Sequence, residues 1–321
     1  MQELPLFSRA RRHGEKIAIR SSTKKFSYKE LLTNSENLAY QLLGDKVDLS
    51  EARIAFLAPA GFDYATIQWG IWRAGGVVVP LCLSAAEPEL EYALSDSETS
   101  MVVATKNQSA KVASLCQKLD IPLLVLGEPD AVSGKPLPIL NPSRRAMILY
   151  TSGTTSKPKG VVLSHANIQA QIESLVEAWE WQTDDRIPLF LPLHHIHGII
   201  NVLSCALWMG ATIEPFSKFD SSTILTRVKE DAYTVFMAVP TIYVKLIEAL
   251  EALVKEERKA VVQGFRNMRL MVSGSAALPA SVHKTWTQLT GQKLLERYGM
   301  TEIGMALSNP FHGERRPGAV G

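Results

Sequence analysis

The stretch Tyr150-Thr151-Ser152-Gly153-Thr154-Thr155-Ser156-Lys157-Pro158-Lys159-Gly160 lies between two short apolar runs, residues 146–150 and 161–163. This pattern predicts a hydroxyl-rich hairpin loop between two strands. Glycine at positions 153 and 160 lets the backbone approach a ligand closely. Because hydroxyls, two ammonium groups and backbone amides are concentrated in one turn, the loop is suited to binding a polyphosphate.

Two alternatives for this loop are a Walker A motif and a plain surface hairpin. The first is disfavoured, because no Gly-Lys-Ser/Thr sequence closes the loop and no helical pattern begins at its end. A surface hairpin rich in turn residues stays open, but the density of donors favours phosphate binding.

The overall composition indicates a globular protein that binds small molecules. The chain has 321 residues, is 46% hydrophobic and carries a formal net charge of +2. A chain of this length buries about three quarters of its unfolded surface, as one large domain or two compact ones. The small net charge and the lack of a polybasic block give no case for nucleic acid or a charged membrane surface.

The cysteines and apolar segments predict a location. Cys82, Cys116 and Cys205 are widely spaced in apolar sequence, which predicts buried thiols in a reducing compartment. We find no signal peptide and no apolar run long enough to span a bilayer. The expected location is therefore the cytoplasm.

Strand-like and helix-like segments alternate along the chain. Ser27, followed by Glu30, forms a capping-box pattern before a helical segment, and residues 199–207 predict an apolar helix. Strand, helix and strand patterns follow one another between residues 53 and 81, which predicts a parallel crossover unit. Residues 127–142 have the composition of a linker. We predict an α/β fold of two stacked subdomains, residues 1–142 and 143–321, each with a mostly parallel sheet flanked by helices.

Three motifs carry a resemblance to a known superfamily. The hydroxyl-rich loop resembles the Thr-Ser-Gly-Thr-Thr-Gly-x-Pro-Lys-Gly signature of acyl- and aryl-CoA synthetases, adenylation domains and luciferases, with Ser156 where glycine is usual. Residues 274–279 resemble the family's small-residue turn, and Tyr298-Gly299-Met300-Thr301-Glu302 is similar to its Tyr-Gly-x-Thr-Glu motif. The resemblance implies the large N-terminal domain of an adenylate-forming enzyme, with a C-terminal lid domain expected beyond residue 321.

The same resemblance implies ATP and Mg²⁺ sites. The loop would hold the pyrophosphate, the small-residue turn would lie along the adenine, and the last motif would stack on the base and bind phosphate and metal. The metal would be held by Glu302 and Thr151. The residues implied in ATP binding are Thr151, Ser152, Gly153, Thr154, Thr155, Lys159, Gly274, Ser275, Ala276, Tyr298, Gly299, Met300, Thr301 and Glu302.

Three histidines lie within residues 194–197. A metal site there is disfavoured, because neighbouring positions at a strand end project in different directions and no cysteine or carboxylate follows at ligand spacing. The resemblance implies that His195 lies beside the reacting carboxylate, so the implied catalytic set is His195, Thr151 and Glu302. His197 would line the same acyl pocket, and His194 is left with a packing or surface role.

The segments around these motifs resemble malonyl-CoA synthetases, including the malonyl/methylmalonyl type. Arg297 precedes the implied adenine-stacking tyrosine, and its guanidinium would be costly beside a fatty tail but could pair with a second carboxylate. Ser275 and Lys284 are further candidates for contacting the acid, together with the histidines. The alternatives are that Arg297 faces solvent or pairs with Glu296.

The sequence therefore predicts an ATP-dependent acid–CoA ligase. It would form an acyl-adenylate and then a thioester, with a small carboxylic acid, ATP and coenzyme A as partners and malonate or methylmalonate as the acid. A ligase for fatty or aryl acids and a non-catalytic nucleotide-binding module are the alternatives.

Overall fold

The computed structural model describes residues 3–127, 136–151 and 157–320, and in these residues it contains three sheets flanked by helices. The strands are β1 (Ile17–Arg20), β2 (Lys25–Ser27), β3 (Arg53–Leu57), β4 (Val77–Pro80), β5 (Met101–Thr105), β6 (Leu123–Leu126), β7 (Arg145–Thr151), β8 (Lys159–Ser164), β9 (Arg186–Leu189), β10 (Thr212–Pro215), β11 (Val235–Ala238), β12 (Leu270–Ser273), β13 (Leu295–Met300) and β14 (Gly304–Ser308).

Helices flank the sheets. They are α1 (Pro5–His13), α2 (Tyr28–Leu43), α3 (Phe62–Arg73), α4 (Glu87–Asp96), α5 (Ser109–Lys118), α6 (His165–Ala178), a π-helix (His197–Ser204), α7 (Cys205–Met209), α8 (Ser221–Lys229), α9 (Pro240–Ala252), α10 (Lys255–Asn267) and α11 (Ala280–Thr290). The capping box at the start of α2 is present, since Ser27 Oγ accepts the Glu30 N–H at 3.1 Å. No helix of the described residues has the length and apolarity needed to cross a membrane.

A six-stranded sheet carries the hairpin with the hydroxyl-rich loop. Its strand order is β6-β5-β3-β4-β7-β8, with parallel pairing throughout except between β7 and β8. The inner strands are almost continuously apolar, because helices cover both faces of the sheet. Successive residues alternate between two cores: Ile54 and Phe56 face the large one, Ala55 and Leu57 the smaller one.

The other two sheets lie side by side. Their strand orders are β2-β1-β10-β9 and β11-β12-β13-β14, with β13 and β14 antiparallel. Thr234, just before β11, links them, because its N–H donates to Arg186 O on β9 at 3.0 Å. The strand ends that carry the later motifs therefore lie beside β9 and the histidines that follow it. The predicted α/β class, with mostly parallel sheets flanked by helices, is confirmed.

The predicted boundary at residue 142 does not separate the sheets. Parallel strand β1 pairs with β10 at Ile19 and Ile213, and β4 pairs with β7 at Val78 and Met147. Strands from both sides of residue 142 therefore share two of the three sheets. The proline-rich composition before residue 142 belongs to the connection between β6 and β7 of one sheet.

Candidate active site

Helix α4 holds the base of the loop hairpin on both sides, at strand β7 and just before strand β8. Tyr150 on β7 donates its hydroxyl to Asp96 Oδ2 at 2.8 Å, and Tyr92 donates its hydroxyl to Pro158 O at 2.9 Å. At the end of the hairpin, half-buried Thr151 lies opposite Lys159. The predicted phosphate-binding residues Ser152, Gly153, Thr154 and Thr155 lie outside the described residues, so only the hairpin's base is placed.

Thr151 and His194 line one cavity of about 240 Å³, together with Cys82 and Tyr92. His194 also lines an adjoining cavity of about 220 Å³ on the other side of Cys82. Burial lowers the pKa of His194 to about 4, with the neighbouring His195 as a further cause. A neutral imidazole, which the sequence left with a packing or surface role, thus borders the end of the hairpin.

A cavity of about 400 Å³ lies between strand β8 of the hairpin and the last motif. It is lined by Val162 and Leu163 of β8 and by Thr301 and Glu302, which form the turn between β13 and β14. Helix α6 and the π-helix complete its walls. Strand β8, which follows the loop, therefore borders the same cavity as the last motif, whereas Thr151 at the end of the hairpin lines the smaller cavity beside His194.

Arg297 lies at the centre of a buried polar group. Its side chain is on β13, the residue is 4% exposed, and its Nη2 donates to Ser275 Oγ at 3.1 Å. His197 Nδ1 lies 3.0 Å from the same oxygen. Gly274 makes this arrangement possible, because a Cβ there would lie 2.4 Å from Arg297 Nε. Ser275 itself has a φ of +69°, a conformation that non-glycine residues rarely adopt.

The charge in this group is a single cation. Burial lowers the pKa of Arg297 to about 10, so the guanidinium is still protonated at neutral pH. Burial, and then the charge of Arg297, hold the pKa of His197 well below its usual range, which keeps that imidazole neutral. Within residues 3–127, 136–151 and 157–320, no carboxylate forms an ion pair with Arg297.

The two alternatives for Arg297 are wrong. Solvent exposure is excluded by its burial, and pairing with Glu296 is prevented because adjacent residues of a strand point to opposite faces. Glu296 instead accepts the Gly318 N–H at 3.1 Å, and burial raises the pKa of its carboxyl group.

The π-helix contributes polar atoms that the sequence did not predict. The predicted helix at residues 199–207 is present, but its first part is a π-helix that begins at His197. Asn201 lies about one turn beyond His197 and is completely buried. Its amide atoms, His197 Nε2 and Arg297 Nε have no hydrogen-bond partner among the described residues. Because each such atom costs about 1–3 kcal/mol when unpaired, the free nitrogens of His197 and Arg297 mark their buried group around Ser275 as a candidate ligand site.

The remaining candidates are exposed. Tyr298 is 50% exposed, which leaves its ring available for stacking, and Glu302 is exposed at the rim of the larger cavity. His195 is exposed and packs on His194, with ring centroids 4.1 Å apart. Lys284 is exposed on α11, whereas the adjacent His283 is buried, so the structure does not bring Lys284 into the Arg297 group.

The donors around Glu302 fit a metal bound together with phosphate. Among the described residues, no three His, Cys, Asp or Glu side chains form a cluster that could hold a metal ion. Mg²⁺ is commonly held by one or two protein ligands plus substrate phosphates and water. A single exposed carboxylate beside Thr301 matches that arrangement better than an all-protein metal site.

Comparisons with known proteins show the family of the chain. The family model described as AMP-binding enzyme matches residues 6–321. The mitochondrial malonate–CoA ligase ACSF3 of Xenopus laevis is 42% identical over 99% of this chain, which spans 58% of that relative.

Solved structures give the same result. ATP-bound MatB from Rhodopseudomonas palustris has a TM-score of 0.86 at 32% identity, covering 100% of this chain and 64% of MatB. A malonyl-CoA ligase with methylmalonyl-CoA and AMP bound has a TM-score of 0.83 at 28% identity, covering 99% of this chain and 65% of that protein. The chain thus spans about three fifths of the relatives that it matches, and it belongs to the AMP-binding enzyme family.

Proposed function

We propose that the full-length protein is an AMP-forming acid–CoA ligase that activates malonate or methylmalonate. The observation that carries this proposal is Arg297, a buried guanidinium that donates to Ser275 and has no carboxylate partner among the described residues. Burying a charge is costly unless it is paired and hydrogen-bonded. A dicarboxylic acid supplies the missing anion through the carboxylate that does not react.

This pairing would make the site selective. A guanidinium presents a planar fork that matches a carboxylate, whereas the tail of a monocarboxylic acid leaves the cation unpaired. A site that requires a polar partner rejects an acid lacking it far more strongly than an apolar pocket rejects one extra methylene group. The methylene group is worth about 1–3 kcal/mol. The printed names of the relatives, a malonate–CoA ligase and a complex with methylmalonyl-CoA, support this class of acid.

The chemistry has two steps, both of which depend on positioning and charge neutralisation. An oxygen of the reacting carboxylate attacks the α-phosphorus of ATP and displaces pyrophosphate, giving an acyl-adenylate. The sulfur of coenzyme A then attacks the acyl carbon, AMP leaves, and the thiol proton passes to solvent. ATP and AMP in the solved relatives support the nucleotide assignment.

Residues of the chain have distinct roles in this proposal. Thr151, Lys159 and the loop between them hold the pyrophosphate, while Gly274–Ala276 and Tyr298 hold the adenine. Thr301 would donate to a phosphate, and Glu302 and Thr151 would hold Mg²⁺, which would neutralise phosphate charge when bound. His195 lies beside the reacting carboxylate. A thioester of malonate or methylmalonate as product would place the enzyme in fatty acid metabolism.

Release of pyrophosphate by the full-length gene product tests the proposal. We expect malonate or methylmalonate to support release and octanoate to support little. If octanoate or an aryl acid were preferred, a fatty- or aryl-acid ligase would replace this assignment. Binding of ATP without pyrophosphate release for any acid would favour the non-catalytic nucleotide-binding module.

A reducing compartment is part of the proposal, because Cys82, Cys116 and Cys205 are free thiols. The sequence predicts the cytoplasm, whereas the Xenopus relative is named as mitochondrial. Subcellular fractionation followed by detection of the chain separates these two compartments.

A further inference from the structure

One side chain of helix α6, Gln171, forms a hydrogen bond with strand β14 in the wall of the 400 Å³ cavity. Gln171 Oε1 accepts the Met305 N–H at 2.5 Å, although the two residues are far apart in sequence. Met305 lies opposite Gly299 of β13, within the Tyr298–Glu302 motif. Gln171 is therefore connected to the turn that carries Thr301 and Glu302.

The neighbouring backbone is shaped around this side chain. Gly304 has a φ of +69°, and a Cβ at this position would lie 1.7 Å from Gln171 Oε1. The carboxamide thus occupies the space that a side chain at position 304 would need. Gln171 is a tightly fitted part of the cavity wall, unlike a mobile surface glutamine.

Gln171 stands on a polar stripe that faces the cavity. Asn167, Gln171 and Ser174 are spaced at i, i+4 and i+7 on α6, so they lie on one face, and all three line the cavity. Ile196, just before the π-helix, and Ile200 within it line the cavity from the other side. The α6 wall therefore carries this polar stripe beside Ile168 and Ala170, the opposite wall is apolar, and the Gln171 carboxamide limits the space between them.

The cavity is bordered by the nucleotide end of the proposed site and by a residue next to the Arg297 group. Thr301 and Glu302, which line it, belong to the nucleotide end, where the reacting carboxylate meets ATP. Ile196, which also lines it, is next to His197 of the Arg297 group, where the second carboxylate would pair. Malonate held at both carboxylates has only C2 left to point into this space.

We propose that Gln171 is a specificity-determining residue that limits the size of the substituent on C2 of the acid. This inference rests on the proposed function, since it requires both carboxylates to be anchored. The carboxamide excludes larger 2-alkyl groups by filling the cavity wall against Gly304 and Met305.

Two substitutions separate size from the hydrogen bond. Gln171→Ala removes the acceptor and opens the cavity, whereas Gln171→Met removes the acceptor but keeps most of the volume. We expect Gln171→Ala to raise the ratio of kcat/KM for 2-butylmalonate over that for malonate by about tenfold or more, since one methylene alone is worth about that factor. Gln171→Met is expected to keep the ratio of the unmodified protein.

The matched control is Gln169→Ala on the same helix, where Gln169 pairs with Glu173 and does not line the cavity. Its ratio should not change. All variants are compared as full-length protein by pyrophosphate release, and their melting temperatures show that they are folded.

The outcomes distinguish a failure of this inference from a failure of the proposed function on which it rests. If none of the dicarboxylic acids supports pyrophosphate release by the unmodified protein, the proposed function is wrong. If malonate is a substrate but Gln171→Ala keeps the original ratio, the size limit is overturned. Equal changes in the Ala and Met variants would show that Gln171 acts only by holding β14, which also overturns it.

Discussion

Arg297 is the residue on which acid selection depends, and replacing it should separate acid binding from nucleotide binding. Arg297→Met keeps an elongated side chain but removes the charge and the donor to Ser275. We expect kcat/KM for malonate to fall by about two to three orders of magnitude, as for loss of one partner of a buried charge pair. Arg297→Lys should restore little, because an ammonium lacks the planar fork.

Steady-state pyrophosphate release and calorimetric titration with ATP measure these two properties. Lys284→Met is the control, since it removes a cation from exposed α11 that lies outside the Arg297 group. Undiminished malonate turnover in Arg297→Met would refute the carboxylate role.

His165 should make stability dependent on pH. It is buried at the start of α6 with its ring 5.6 Å from that of Trp72, and burial, followed by the charge of Arg144, lowers its pKa to about 4. A histidine whose pKa is depressed by folding favours the native state above the unfolded pKa of about 6.5, and this contribution is lost as pH falls towards 4.

The expected loss from His165 is about 1.4 kcal/mol of unfolding free energy for each pH unit in this window. His165→Phe keeps the aromatic contact and should flatten the profile measured by urea denaturation between pH 6.5 and 4.5. Exposed His312, replaced by Gln, is the control. A profile unchanged by His165→Phe would mean that other groups control acid stability.

The sequence predicts some of these residues better than others. Arg297 and Ser275 were found because each adjoins a recognisable motif. Gln171 was missed, since its partner Met305 is 134 positions away and no local pattern indicates that contact. Asn201 was missed for a related reason: an amide within an apolar run becomes informative only once its burial is known.

At the scale of elements, the π-helix is the part that periodicity could not predict. An apolar run at residues 199–207 is compatible with either helix type, and the wider turn depends on what the helix packs against. Gly198 gives such a constraint, because a Cβ there would lie 2.6 Å from Pro192 O. The backbone of the histidine segment and the first π turn are therefore in close contact.

Gly198→Ala should disturb this element and the site together. Relieving the contact requires movement of backbone, which we expect to lower the unfolding free energy by about 1–3 kcal/mol. The same movement displaces His197, so malonate turnover should fall more than ATP affinity. Gly127→Ala is the matched control, because nothing lies within 4 Å of its added Cβ.

Urea denaturation of the 321-residue chain and pyrophosphate release by the full-length protein measure the two effects. Wild-type stability and turnover in Gly198→Ala would show that the π-helix tolerates the extra methyl group and does not fix His197.

At the scale of the whole molecule, the sequence predicts the α/β class, but it does not indicate which strands pair across residue 142. Alternating strand and helix patterns are local signals, and they identify most elements. Pairing between Ile19 and Ile213, or between Val78 and Met147, is not a local signal. A proline-rich stretch of chain marks a connection in either case, so composition alone cannot show whether it joins two sheets or two strands of one sheet.

The contacts across residue 142 predict one cooperative unit. Arg144 forms an ion pair with Asp48 at 2.7 Å, and Trp72 Nε1 donates to Ala146 O at 2.8 Å. A single large core also includes residues from both sides of this position. A fragment comprising residues 1–142 would therefore expose one edge of strand β4 and the core side chains that residues 143–321 cover in the complete chain.

We expect fragments 1–142 and 143–321 to be unfolded or aggregated alone and to assemble when they are expressed together. Exposed apolar strand edges and core faces favour aggregation, and pairing of β1 with β10 and of β4 with β7 removes both. Circular dichroism and hydrogen exchange of each fragment, compared with the intact chain, measure this. Native-like amide protection in isolated residues 1–142 would contradict it and would restore an independent first subdomain. The intact chain should unfold in a single calorimetric transition. That transition should be lost when the chain is cut at residue 142 and the two halves are separated.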